Sequence, residues 1–121
     1  MKFRVARHTS DLSKIKSFYA DLMGLEVLGT FENHDGYNGL FLGIRNENWH
    51  LEFTQSNESP MHTPDPDDLL VFYFTQAEFD QAQERIINLN VRAVNAKNSY
   101  WNRNGITVVD PDGFRVVLAV K

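Results

Sequence analysis

The chain has 121 residues, with twelve Lys and Arg against sixteen Asp and Glu, and no cysteine. That length suits one compact domain with a sizeable core, and the missing cysteines exclude both a disulfide scaffold and a thiol nucleophile. A net charge of -4 without a basic stripe argues against nucleic acid, and no apolar run approaches membrane-spanning length, so a cytoplasmic protein with no membrane partner is expected.

The first segment, KFRVARH, alternates Phe3 and Val5 against Arg4, Ala6 and His8, which predicts a half-buried strand. In SDLSKIKSFYADLMG, Ser10 or Asp11 serves as N-cap, and Leu12, Ile15, Phe18, Tyr19 and Leu22 recur at helical spacing. Gly24 supplies the stop. Three strands follow, LEVLGTF, GLFLGIR and WHLEFT, divided by the turn signals Asp35-Gly36 and RNEN. The segment 56–67, rich in proline and poor in apolar residues, reads as a linker.

Beyond it LLVFYF predicts a strand, and TQAEFDQAQERIINLN opens with a capping box of Thr75 and Glu78 and carries Phe79, Ala82 and Ile86 on one face. VRAVNA, GITVVD and FRVVLAV complete the set, with Asn104-Gly105 in the loop before the second of these and the turn DPDG (110–113) before the third. The order β-α-β-β-β is thus used twice in one α+β domain spanning 1–121, as module one (1–55) and module two (68–121). Each module buries one sheet face under its helix. The expectation is two modules pairing into a curved mixed sheet that encloses a cleft, with the helices on the outer face. An α+β sandwich with both helices on one continuous sheet is the alternative.

Strand parity assigns Phe3, Val5, Leu51, Phe53, Leu70, Phe72, Phe74, Val116 and Leu118 to the core beneath the helices, with Trp49 on the same side. The other face collects Arg4, His8, His50, Glu52, Leu69, Tyr73, Arg115 and Val117. A mostly apolar surface with a few polar anchors is what a small-molecule pocket needs. Tyr100 and Trp101, in NSYWNRNG, are placed either to stack on a planar ligand or to pack over the sheet edge. His34 and His62 fall in a turn and in the linker, where a histidine needs no functional explanation.

Three pieces, DLSKIKSFYADLMGLEVLG, HLEFT and DPDGFRVVL, span nearly the whole chain in order, and together they resemble the vicinal oxygen chelate superfamily: glyoxalase I, extradiol dioxygenases and bleomycin-resistance proteins. The resemblance implies paired βαβββ modules around a cleft, with chains assembled as a homodimer. In metal-using members the first and last strands of each module supply the ligands, which carries over to Arg4, Glu52, Leu69 and Val117. Only Glu52 is a donor a divalent cation accepts; two aliphatic side chains offer nothing and a guanidinium carries only donors and a fixed positive charge. No metal or other cofactor is therefore expected.

In its place Arg4, taken as level with Glu52 on the neighbouring parallel strand, is expected to form a bidentate pair with it. That register sets His8 roughly 13 Å further along and His50 on the other side, roughly 20 Å from His8, too far to share a metal. Two functions follow from the resemblance. One is a metal-free binding protein sequestering a drug or metabolite, with Arg4, His8, His50, Glu52, Leu69, Tyr73, Trp101, Arg115 and Val117 contacting the ligand. The other is a glyoxalase-, isomerase- or dioxygenase-like enzyme with an atypical site, for which Glu52, His8 and Tyr73 are the acid-base groups at hand.

Overall fold

The computed structural model describes all 121 residues and divides into two compact units, Met1–Met61 and His62–Lys121, with the boundary inside the proline-rich segment. In the first unit, β1 (Phe3–His8) leads into helix α1 (Leu12–Lys16), which widens into a π-helical turn over Ser17–Leu22. Then come β2 (Glu26–His34), β3 (Tyr37–Gly43) and β4 (Trp49–Gln55). The sheet runs β1-β4-β3-β2, with β1 parallel to β4 and the other pairs antiparallel.

Local chemistry explains these boundaries. The Asp11 carboxylate accepts the Lys14 N–H at 3.1 Å and starts α1. Gly24, at φ 84°, ends the helical segment in the left-handed region. Asp35 (φ 52°) and Gly36 (φ 86°) form the two-residue turn that pairs His34 with Tyr37. Beneath the helix, Leu40, Leu42, Leu51 and Phe53 share one face and are buried with Ile15, Phe18, Tyr19 and Leu22. The Tyr19 and Phe53 rings meet at 5.0 Å.

The second unit repeats the order: β5 (Leu69–Phe74), α2 (Gln76–Asn88), β6 (Ala93–Val94), a short helix α3 (Ser99–Asn104), β7 (Gly105–Val109) and β8 (Arg115–Val120). Its sheet runs β5-β8-β7-β6 with β5 parallel to β8. The capping box forms, Thr75 Oγ1 accepting the Glu78 N–H and the Glu78 carboxylate accepting the Thr75 N–H. In the DPDG turn, Asp110 Oδ1 accepts the N–H groups of Asp112 and Phe114, and Gly113 takes φ 91°. Ala82, Ile86, Val116 and Leu118 are buried. No helix is long and apolar enough to cross a membrane.

Several expectations need correction. NSYWNRNG is not a loop: Asn98 accepts the Tyr100 N–H and caps α3. The strand GITVVD does begin at Gly105, but Asn104, expected in the loop before it, is the last residue of α3. The strand predicted over 91–96 shrinks to Ala93–Val94, because the Asn102 side chain takes both the N–H and the C=O of Ala96 at 2.7 and 3.0 Å. Phe3 is 59% exposed rather than core, since it opens an edge strand while α1 packs on β3 and β4. Leu70, Phe72 and Phe74 are only half-buried, on the equally peripheral β5.

Candidate functional site

The face of the first sheet opposite its helix carries a connected set of charged and aromatic side chains. In the parallel β1–β4 pair, Arg4 stands across from His50, and Glu52 stands across from Ala6. Arg4 is therefore not level with Glu52 but offset by one same-face position. From there its Nε donates to His50 Nε2 at 2.8 Å and its Nη1 approaches Glu52 Oε1 at 3.5 Å. That second contact is longer than a bidentate fork, in which both N···O distances fall near about 2.8 Å. The guanidinium is divided between two partners instead.

Phe41, across β3 from Glu52, fixes the guanidinium from below, with the Arg4 Cζ 5.3 Å from the ring centroid. The same ring meets His50 edge-on at 5.8 Å and Phe31 at 5.7 Å. Two glycines make this packing fit. A Cβ at Gly39 would collide with the Phe31 ring, and one at Gly43 would press on both Leu28 and His50. Lys2, Arg4, Leu28, Phe41 and His50 line a depression of about 260 Å³.

His50 is buried, and burial is the main cause that lowers its pKa below 6.5; the charges of Arg4 and Lys2 push the same way, and Glu52 opposes them. A neutral ring also suits the geometry, because Nε2 must be unprotonated to accept from Arg4.

His8 lies elsewhere. It stands across from Thr54, four positions along the strands from His50, a separation of about 13 Å rather than 20. Its Nδ1 meets Thr54 Oγ1 at 2.8 Å, and its Nε2 meets Ser56 Oγ at 3.1 Å and the Glu58 carbonyl at 2.9 Å. Both ring nitrogens are spent tying the end of β1 to the segment leaving β4. His34 pairs at the surface with Asp35, and His62 packs edge-on against Phe114.

In the second unit, Leu69 stands across from Arg115, and Val117 across from Val71. Arg115 donates from Nη1 to the Asn95 carbonyl at 2.8 Å, and Val117 is fully buried. Tyr73 and Trp101 instead line a separate groove of about 420 Å³ with Phe79, Tyr100 and Arg103 over a floor of Gly105 and Ala119. Tyr100 and Trp101 meet edge to face at 4.9 Å. A Cβ at Gly105 would lie 2.6 Å from the Leu118 carbonyl oxygen, so glycine is required for β7 to approach β8 there.

The structure thus brings Arg4, His50 and Glu52 together, and separately Tyr73 with Trp101. Phe41, Lys2 and Leu28 were missed. Phe41 was legible: it alternates with Leu40 and Leu42 in GLFLG, so period-two geometry puts it on the face shared with Glu52.

Two family models match, the YycE-like N-terminal domain over residues 3–54 and the YycE-like C-terminal domain over 67–120. Protein YycE of Bacillus subtilis is 38% identical over 119 residues, covering 97% of this chain and 86% of that protein. The chain belongs to the YycE-like family. The crystal structure of the Bacillus subtilis YycE protein, of unknown function, superposes with a TM-score of 0.88 over 98% of this chain and 88% of that one.

At the level of fold, this YycE-like chain is similar to glyoxalase I of Leishmania major (19% identity, TM-score 0.74, 97% of this chain and 84% of that one). It is likewise similar to the fosfomycin resistance protein FosX of Mesorhizobium loti (14%, 0.69, 96% and 87%). This is the vicinal oxygen chelate fold.

The metal that this fold often carries does not suit the residues here. No group of three or more His, Asp or Glu side chains converges on one point. Within the first unit a guanidinium lies 3.5 Å from the Glu52 carboxylate and repels a cation; the matching positions of the second unit, Leu69 and Val117, have no donor atoms.

Proposed function

We propose that this YycE-like chain is a small-molecule-binding protein of the glyoxalase/bleomycin-resistance type, which sequesters a drug or metabolite without a metal. One observation carries the reading. The Arg4 guanidinium sits 3.5 Å from Glu52 and is held by His50 at 2.8 Å, so the acid that a cation would need already has an organic counter-charge. The flanking aromatic rings and Leu28 supply the apolar contact that small ligands favour. The same reading takes the protein to be a cytoplasmic homodimer.

The test has two arms. Metal analysis of the purified protein, with glyoxalase and ring-cleavage assays in added Ni, Zn, Mn or Fe, should give neither stoichiometric metal nor metal-dependent turnover. A thermal-shift screen against antibiotics and small aromatic metabolites should find ligands that raise the melting temperature, since a ligand preferring the native state stabilises it. Stoichiometric metal, metal-dependent turnover or a silent screen overturns the proposal.

A further inference from the structure

The misfit between this donor set and a metal has a chemical consequence for what the first unit can hold. Where a metal site offers a cation to the ligand through a coordinated ion, this one offers a cation as a side chain. The Arg4 side chain is 50% exposed, whereas that of Glu52 is 15% exposed, so an incoming molecule meets the guanidinium rather than the acid. Three of its sides are fixed: Nε by His50, Nη1 by the long contact to Glu52, and one face by Phe41. Nη2 holds neither a hydrogen bond nor an ion pair, and the charged N–H donors of a guanidinium pair best with the oxygens of an anion.

The lining completes the argument. Lys2 and Arg4 both border the depression of about 260 Å³, while Glu52 is not among its lining residues. A cationic ligand would face two like charges there. Leu28 and Phe41 supply an apolar floor sized for a single ring or a short chain.

We propose that the depression bordered by Lys2, Arg4, Leu28, Phe41 and His50 binds a small organic anion, its charged oxygens on Arg4 and Lys2 and its apolar body on Phe41 and Leu28. This rests on the binding reading above and narrows it to one ligand class.

An isosteric series tests it: benzoate, benzamide and benzamidine, titrated into the full chain by calorimetry at matched ionic strength. Benzoate should bind at least about tenfold more tightly than either of the others, and raising the salt should weaken it. Arg4→Gln should reduce benzoate affinity about tenfold; Lys2→Gln, which lies before β1 and leaves the sheet untouched, should reduce it severalfold. Equal affinity for benzamide, no benzoate binding, or an affinity unchanged in both variants sinks the proposal. If neutral or cationic members of the broader screen raise the melting temperature and no anion does, only the ligand class falls and the binding reading stands. If nothing in that screen binds, both fall.

Discussion

In the first unit Arg4 stands across from His50 and diagonally from Glu52; in the second, Leu69 stands across from Arg115 and diagonally from Val117. The offset is the same in both sheets although one diagonal is an ion pair and the other is wholly aliphatic. The register therefore does not depend on the chemistry of this face. It is held from the other side, where Leu51 and Phe53 in one unit and Val116 and Leu118 in the other are buried beneath helices. A one-residue slip would turn those side chains out of the core, whatever stands opposite. The face away from the helices is thereby free to carry an ion pair on that diagonal in one unit and two aliphatic side chains in the other.

The sharpest way to break this comparison is to move the charge. Val117→Glu places an acid at a fully buried position whose same-face neighbour, Arg115, is already bonded to the Asn95 carbonyl, and should cost about 3–5 kcal/mol in denaturant melts. Adding Leu69→Arg, which restores the diagonal of the first unit, should recover part of that loss. No recovery would mean that the shared offset is not enough to make a pair.

The caps of the two helices differ in the same measurable way. Thr75→Ala removes one half of a reciprocal box and should cost about 1–2 kcal/mol; Asp11→Ala removes a single acceptor and should cost about 0.5–1 kcal/mol, both read by denaturant melts. Glu52→Gln should change stability by no more than about 1 kcal/mol, because Arg4 keeps His50 and Phe41 and remains half-exposed to water.

The smallest effect is a pH slope. His50 binds a proton less readily in the folded chain than in the unfolded one, so the unfolded state takes up protons first as the pH falls through about 6.5. Stability should fall with pH there, and in His50→Gln, with an amide that can still accept from Arg4, the slope of melting temperature against pH should be shallower. An unchanged slope would assign the effect to other groups.

Much of the architecture was legible because it is written locally. Thr75 and Glu78, Asp35-Gly36 and DPDG are short-range signals whose hydrogen bonds and φ values close within a few residues. The helix α3 was not, since its six residues carry no apolar period and only the Asn98 cap announces it. The site was half legible. Parity put Arg4, His50 and Glu52 on one face, but the parallel register between strands 46 residues apart has no local marker. Assuming Arg4 level with Glu52 hid its hydrogen bond to His50. Phe3 was misplaced for a related reason: alternation gives the face a residue points to and not whether a helix extends over it.

Gly39 shows a different kind of constraint. Its backbone does not require glycine, as it does not take a positive φ; its identity is imposed by the ring of Phe31, which occupies the space a methyl group would need. Permissible choices at 31 and 39 are consequently linked, and the intolerance of position 39 to any side chain should vanish once the aromatic at 31 is trimmed. The packing beside Phe41 is in that sense ordered between two positions: 39 cannot gain a side chain until 31 has lost its ring.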